Sequence, residues 1–486
     1  MENDHGEIVF PRRNRCCMRS IRRPSAAVTL NSKGLGQALI FPYYTVNKGQ
    51  ATLLSLVNVS AMGKAVHVYF QEGYNGREVL SFVVFLSPHD VWTGAVTQAS
   101  DEGGAKITSH DKSCVSPASD GNGNDFASGI AFATSGFDGS AFPADGGPTS
   151  VTRTREGFMY VVTNGDLDPQ SATARLITHA QNGTPDGGAP TGCSQLSGVL
   201  INGSDLQPPT STLAGSAAIV NVDEGIFFSY NADALSDFTS IALIDSVSTV
   251  GFDNLSHANN RATSNTAVTA HVFGASGRPR ALDYALGIDA VSAVFAADAI
   301  YNDYLVDPQL GAQTDWVVTF PTKQFYTDPQ YVGSEAIAPF AEPFGATTPG
   351  QSNVAVGMTV HDREEGTAAT VSAVSAPALS YQVNIVSFSQ TPAASQASPV
   401  LGSNLVSAYV PPYGSDGWAS MDLASGDGGH QFRPAASGVI LSGLPATGFM
   451  VYNVINANAQ PGMLANYGGT FAYRSTVSCD AAMPCP

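Results

Sequence analysis

Charge is scarce in this chain: only 13% of its 486 residues are Asp, Glu, Lys or Arg, about half the usual quarter. The surface must therefore be covered by Ser, Thr, Asn, Gln and Gly. Cysteine is limited to six positions and tryptophan to three. No cysteine pair has C-x-x-C spacing, which leaves a redox dithiol or a zinc ribbon without support. No stretch approaches the roughly 18 apolar residues of a membrane-crossing helix. Signatures of nucleotide binding (Walker A, G-x-G-x-x-G) and of hydrolysis (G-x-S-x-G, H-E-x-x-H, D-[ST]-G) are missing. The nine histidines are scattered, with no H-x-H or H-x-x-x-H pair to place two imidazoles on one metal.

What is present points to β-structure. Hydrophobic residues make up 43% of the chain, a folded rather than a disordered profile. Abundant Gly and Pro, with many Val, Thr, Tyr and Phe, favour short strands joined by turns. A chain this long exceeds the roughly 250 to 300 residues of one hydrophobic core, so two lobes are expected. Between Gln37 and Val96 strand-like runs follow one another (ALIFPYYTV, ATLLSLVNVS, AVHVYFQEG, EVLSFVVFLS), separated by turn signals as in an antiparallel sandwich. In AVHVYF, Val66, Val68 and Phe70 alternate with His67 and Tyr69, the pattern of a half-buried strand. The fold class expected is mainly β: an antiparallel β-sandwich, immunoglobulin-like or jelly-roll-like, with long loop insertions. One helix is expected near 281–306, where Ala-rich text free of Pro carries apolar residues at helical spacing. Residues 34–100 and 310–475 are read as the sandwich scaffold, and 101–309 as an inserted, loop-rich β lobe ending in that helix. Residues 476–486 are read as a C-terminal disulfide tail.

Charge is unevenly placed. Residues 1–33 hold seven basic and three acidic residues, while the rest carries 15 basic against 37 acidic. An acidic body repels phosphate backbones, so nucleic acid is not an expected partner. The basic stretch looks like the charged region of an export signal, yet no apolar run of 7 to 15 residues follows it. Either the start is misassigned or the leader is a remnant with Arg12-Arg13 or Arg22-Arg23 mimicking a twin-arginine signal. The text after Ala26 reads like the start of a mature exported protein. Pairing within each region is the simplest cysteine scheme: Cys114 with Cys193, and Cys479 with Cys485.

Few residues invite a chemical role. Asp120, Asn122 and Asn124 resemble the opening of a calcium loop, but Asp125 stands where a Gly is expected and Ala131 where a bidentate Glu is needed. A turn-rich loop is the preferred reading. The neighbours His89-Asp90, His110-Asp111 and His361-Asp362 are read as polar surface or turn residues, because adjacent strand residues point to opposite faces. Leu444 to Gly448 spell LPATG, the letters of a sortase signal; without a hydrophobic segment and basic end behind it, a turn before a strand is expected. Exposed aromatics bind sugars by stacking. Trp92 and Trp316 lie in apolar strand text, whereas Trp418, in YGSDGWAS, is set among polar residues and is the candidate for ligand stacking.

The segments GLGQALIFPYYTVNKGQATLLSLVN, EGYNGREVLSFVVFLSPHDVWTGAV, TDWVVTFPTKQFYTD and FMVYNVINANAQPGMLANYGGTFAYR resemble a group of exported β-rich proteins of Gram-negative bacteria. The resemblance spans most of Gly34 to Arg474. It implies an extracytoplasmic location and brings no reaction, cofactor or catalytic residue. The expectation is a non-enzymatic, secreted, periplasmic or cell-surface protein whose partner is a surface or matrix component. A carbohydrate-binding or carbohydrate-active protein is the alternative, its candidate acids being Asp223, Glu224, Asp362, Glu364 and Glu365. A surface filament subunit is the second alternative.

Overall fold

The structure is a computed structural model that describes residues 26–100, 103–120, 125–179, 188–196, 203–243, 254–260, 267–274, 277–364, 367–368, 377–389, 397–412, 415–425 and 429–479. Among the described residues strands account for 46% and helices for 10%, the mainly β architecture expected. No described helix is long and apolar enough to cross a membrane.

A ten-stranded, mostly antiparallel sheet forms the middle of the molecule. Its central strands Ala38–Thr45, Gly63–Glu72 and Glu156–Leu167 are buried along their whole length. The reason is that both faces are covered. Leu39, Phe41, Val66, Val68, Phe70 and Val161 pack against a six-stranded sheet, where Leu54, Leu56, Trp92 and Ile107 complete one core. Ile40, Tyr43, Tyr69, Phe158 and Tyr160 point the other way, into a larger core shared with two five-stranded sheets. The alternation read in AVHVYF is therefore present, but the strand is not half-buried: Tyr69 stacks on Tyr160 at 4.8 Å and on His67 at 4.1 Å beneath the second lobe.

Of the two five-stranded sheets, one orders Thr367–Ala368, Gly357–His361, Asp416–Asp422, Ala299–Leu305 and Arg474–Thr476. The other orders Val406–Tyr409, Val383–Phe388, Ala312–Thr319, Thr447–Gln460 and Met463–Ala472. Hydrogen bonding thus groups the strands differently from the expected scaffold and insertion. Glu156–Leu167 pairs with both Ala38–Thr45 and Gly63–Glu72, so residues expected in an inserted lobe complete the first sandwich, which runs from Val28 to Tyr284. Residues 34–100 pair with no described strand beyond residue 299. The two five-stranded sheets, formed by the chain from Ala299 onward, make up the second lobe.

The helix expected near 281–306 is confined to Gly287–Val294. Pro279–Tyr284 and Ala299–Leu305 on either side are strands, and their alternating buried residues (Leu282 and Tyr284; Ile300, Asn302 and Tyr304) show that a period of two outweighed helical propensity. Gly287 opens the helix rather than breaking it, because a Cβ there would lie 2.6 Å from the carbonyls of Ser256 and Ala258. Within the basic leader expected over 1–33, Val28–Leu30 is a strand paired with Asp233–Ser236, and Ala27 and Val28 are buried. LPATG places a fully buried Leu444 in the short strand Leu444–Pro445, ahead of Thr447–Gln460.

Cys114 and Cys193 form a disulfide inside a small third core with Phe85, Leu167 and Ile177, which ties the loop-rich stretch to the ten-stranded sheet. Cys479 is also disulfide-bonded; Cys485, its expected partner, lies outside the described residues. A buried ion network joins the lobes. Arg153 donates to both carboxylate oxygens of Glu72 (2.8 and 3.0 Å) and of Asp145 (2.6 and 3.0 Å). Arg77 grips Asp328 in the second lobe through two bonds of 2.7 and 2.8 Å, and Asn75 bridges Asp145 and Asp328. Burial pushes Asp145 up, but the Arg153 guanidinium outweighs it and holds the carboxyl below its ordinary range.

Candidate functional site

Strand Asp416–Asp422 alternates strictly. Ala419 and Met421 enter the core beside Met358, Val360 and Ile300, which turns Trp418 to the opposite face, 41% exposed. The tryptophan therefore lies on a strand of a regular sheet and not in the polar loop that YGSDGWAS suggested. Its neighbours across the ladder are His361 on one side and Asp303 on the other. The His361 imidazole stacks on the indole with centroids 4.0 Å apart and planes 14° apart. Tyr301 adds a tilted contact at 6.4 Å. Trp92 and Trp316, by contrast, are 1% and 0% exposed.

Around this ring lies an open cleft of about 510 Å³, lined by Asp303, Tyr304, His361, Asp362, Arg363 and Trp418 together with Asp416 and Gly417. Gly417 sets the spacing, since a Cβ there would fall 2.0 Å from the carbonyl oxygen of His361. Arg363 pairs with Asp416, and Asp362 accepts the backbone N–H of Glu364 in its own turn. Tyr304 borders the cleft but belongs to the core face of its strand, 2% exposed and stacked on Phe388; burial, with the Asp416 charge adding to it, pushes its phenol up to about 12. The arrangement offers the indole face that His361 leaves uncovered, on the Asp303 side, with carboxylates and one guanidinium around it. That combination suits stacking under the apolar face of a sugar ring while polar groups meet its hydroxyls.

The other residues singled out in sequence are dispersed. Asn122 and Asn124 lie outside the described residues, and no group of three or more His, Cys, Asp or Glu that could hold a metal occurs among those described. Asp125 caps a local turn by accepting the N–H of Ser128. Of the candidate acids, Asp362 lines the cleft and Glu364 stands in the adjacent turn. Glu224 sits far off in the six-stranded sheet's Asn221–Ile226 turn, paired with Lys48 at 3.0 Å, and Asp223 is beside it; Glu365 lies outside the described residues. Asp90 has the ring of His179, distant in sequence, at 3.3 Å, rather than that of His89. His361 and Asp303 carry no local signal, because their role comes from cross-strand register between segments far apart in sequence.

Comparison with known proteins finds no matching family model, no matching curated protein and no matching solved structure.

Proposed function

We propose that the protein is a non-enzymatic, extracytoplasmic or cell-surface binding protein that recognises carbohydrate through the Trp418 face. The observation that carries this reading is the exposed indole held flat by His361 on a rigid sheet. Sites built on strands are positioned more firmly than sites on loops. The rim favours binding over turnover: glycoside hydrolysis calls for two carboxylates in acid and base or nucleophile roles, whereas of the three here Asp416 is ion-paired and Asp362 caps its own turn, which leaves Asp303. The Cys114–Cys193 disulfide supports an oxidising compartment. A glycan array is the test. Reproducible binding that is lost in Trp418→Ala is expected; array silence, or turnover of a defined glycan abolished by a single acidic substitution, would overturn the reading.

A second reading, a filament subunit, is favoured by Met463–Ala472, the outermost strand of its sheet. It exposes Met463, Leu464, Tyr467 and Phe471, an apolar patch of the kind that meets further chains, while Asn466 and Thr470 bond to the carbonyls of Glu224 and Ser229 in the six-stranded sheet's edge. Sedimentation as large particles at micromolar concentration supports it, and a monomer excludes it.

A further inference from the structure

A second cavity, of about 440 Å³, opens where the ten-stranded sheet meets the helical turns Gln324–Thr327 and Pro329–Val332 of the second lobe. Its size lies within the ~300–1,000 Å³ of small-molecule sites, which favour such junctions between domains. Tyr69 and Tyr160, stacked on one another, form part of its wall, and Tyr331 stands at the mouth, 48% exposed.

The cavity's polar groups differ in how far the protein already satisfies them. Arg77 and Asp328 satisfy each other through a two-point ion pair, and Arg77 also donates to the carbonyls of Gly136 and Pro143. Neither presents an unmatched charge. The side-chain amides of Gln71 and Gln324 are different: they are 2% and 4% exposed, line the cavity, and form no hydrogen bond with any described residue. Buried amides nearly always have partners; these two border the cavity and are left to its water, so a molecule that displaces that water has two amides to match. Glu78, which accepts the Ser81 hydroxyl, adds a carboxylate and no cation faces it across the cavity unpaired. An anionic ligand is therefore disfavoured.

We propose that this inter-lobe cavity is a binding site for a neutral polyhydroxylated molecule of monosaccharide size, held by the amides of Gln71 and Gln324 and walled by tyrosine. It is separate from the Trp418 cleft and does not depend on the reading of that cleft.

Saturation-transfer NMR on the full chain, with glucose, galactose, mannose and N-acetylglucosamine as neutral probes and glucuronate as the charged counterpart, tests it. Measured in the Trp418→Ala background, so that the other cleft contributes nothing, the expected result is transfer to at least one neutral sugar, weakened at least about tenfold when Gln71→Leu is added. Because Gln71 is buried, Tyr331→Ala at the solvent-facing mouth provides the second variant, and it is expected to weaken the same signal with the folded state intact. Silence from all four neutral sugars, which would mean water alone fills the cavity, overturns the proposal. So does a preference for glucuronate, a signal indifferent to Tyr331→Ala, or one that vanishes in Trp418→Ala.

Discussion

His361 and Trp418 face each other across two hydrogen-bonded strands with their rings 4.0 Å apart and nearly parallel. The pair depends on how closely the two backbones approach, and Gly417 permits that approach. Gly417→Ala would drive a methyl group onto the His361 carbonyl, 2.0 Å away. A loss of about 1–3 kcal/mol is expected from such overpacking, read as a lower urea midpoint, together with weaker glycan binding. An unchanged midpoint would show that the strands separate freely.

The Arg153 network predicts a larger effect. Removing its guanidinium in Arg153→Ala leaves Glu72 and Asp145 buried side by side. Deleting one partner of a buried pair costs about 3–5 kcal/mol, so chemical denaturation should show a loss of that order. The loss should ease at low pH, where protonation of the stranded carboxylates removes their charge.

Lys323 provides a signature in pH. It is 2% exposed, donates to the carbonyls of Ser352 (2.7 Å) and Tyr381 (3.1 Å), and lies over the rings of Phe320 and Phe340. Burial pushes its ammonium down to about 7, with the nearby Glu342 charge opposing the shift. Between about pH 7 and the unfolded value of 10.5, the unfolded chain binds the extra proton. Stability from this group therefore rises with pH across that window and is least below pH 7. Denaturation midpoints measured from pH 6 to 10 should climb more steeply in the native protein than in Lys323→Met. Parallel curves would contradict the assignment.

The Cys114–Cys193 bridge spans 79 residues, a loop whose closure is worth about 4–5 kcal/mol by chain entropy. Replacing both cysteines by Ser should lower thermal stability markedly, and reductant should lower it more in the native protein than in the double variant, which keeps the Cys479 bond.

Much of the β-architecture was legible because alternation and turn residues are local signals. Val66, Val68 and Phe70 were correctly set on one face of their strand. What covers the other face was not legible, since Tyr69 meets Tyr160 and the second lobe through chain more than 90 residues away. The stretch 281–306 misled because Ala-rich composition mimics a helix while Ile300, Asn302 and Tyr304 follow the strand period. Trp418 stood out in sequence as the one tryptophan among polar neighbours. Its stacking partner did not, because His361 reaches it only through the register of two strands 57 positions apart. The amides of Gln71 and Gln324 were equally silent: glutamine in a strand or a helical turn carries no motif, and only the assembled cavity gives them meaning.

Tryptophan fluorescence tests the central claim most directly. Trp92 and Trp316 are buried and Trp418 is 41% exposed, so a ligand that stacks on the cleft changes the emission of one indole. Titration with the best glycan from the array should shift the native spectrum to shorter wavelength and shield it from iodide quenching, saturably, with both effects lost in Trp418→Phe while the two buried indoles remain unchanged. A glycan that binds with full affinity while leaving Trp418 emission and quenching untouched would contradict the account.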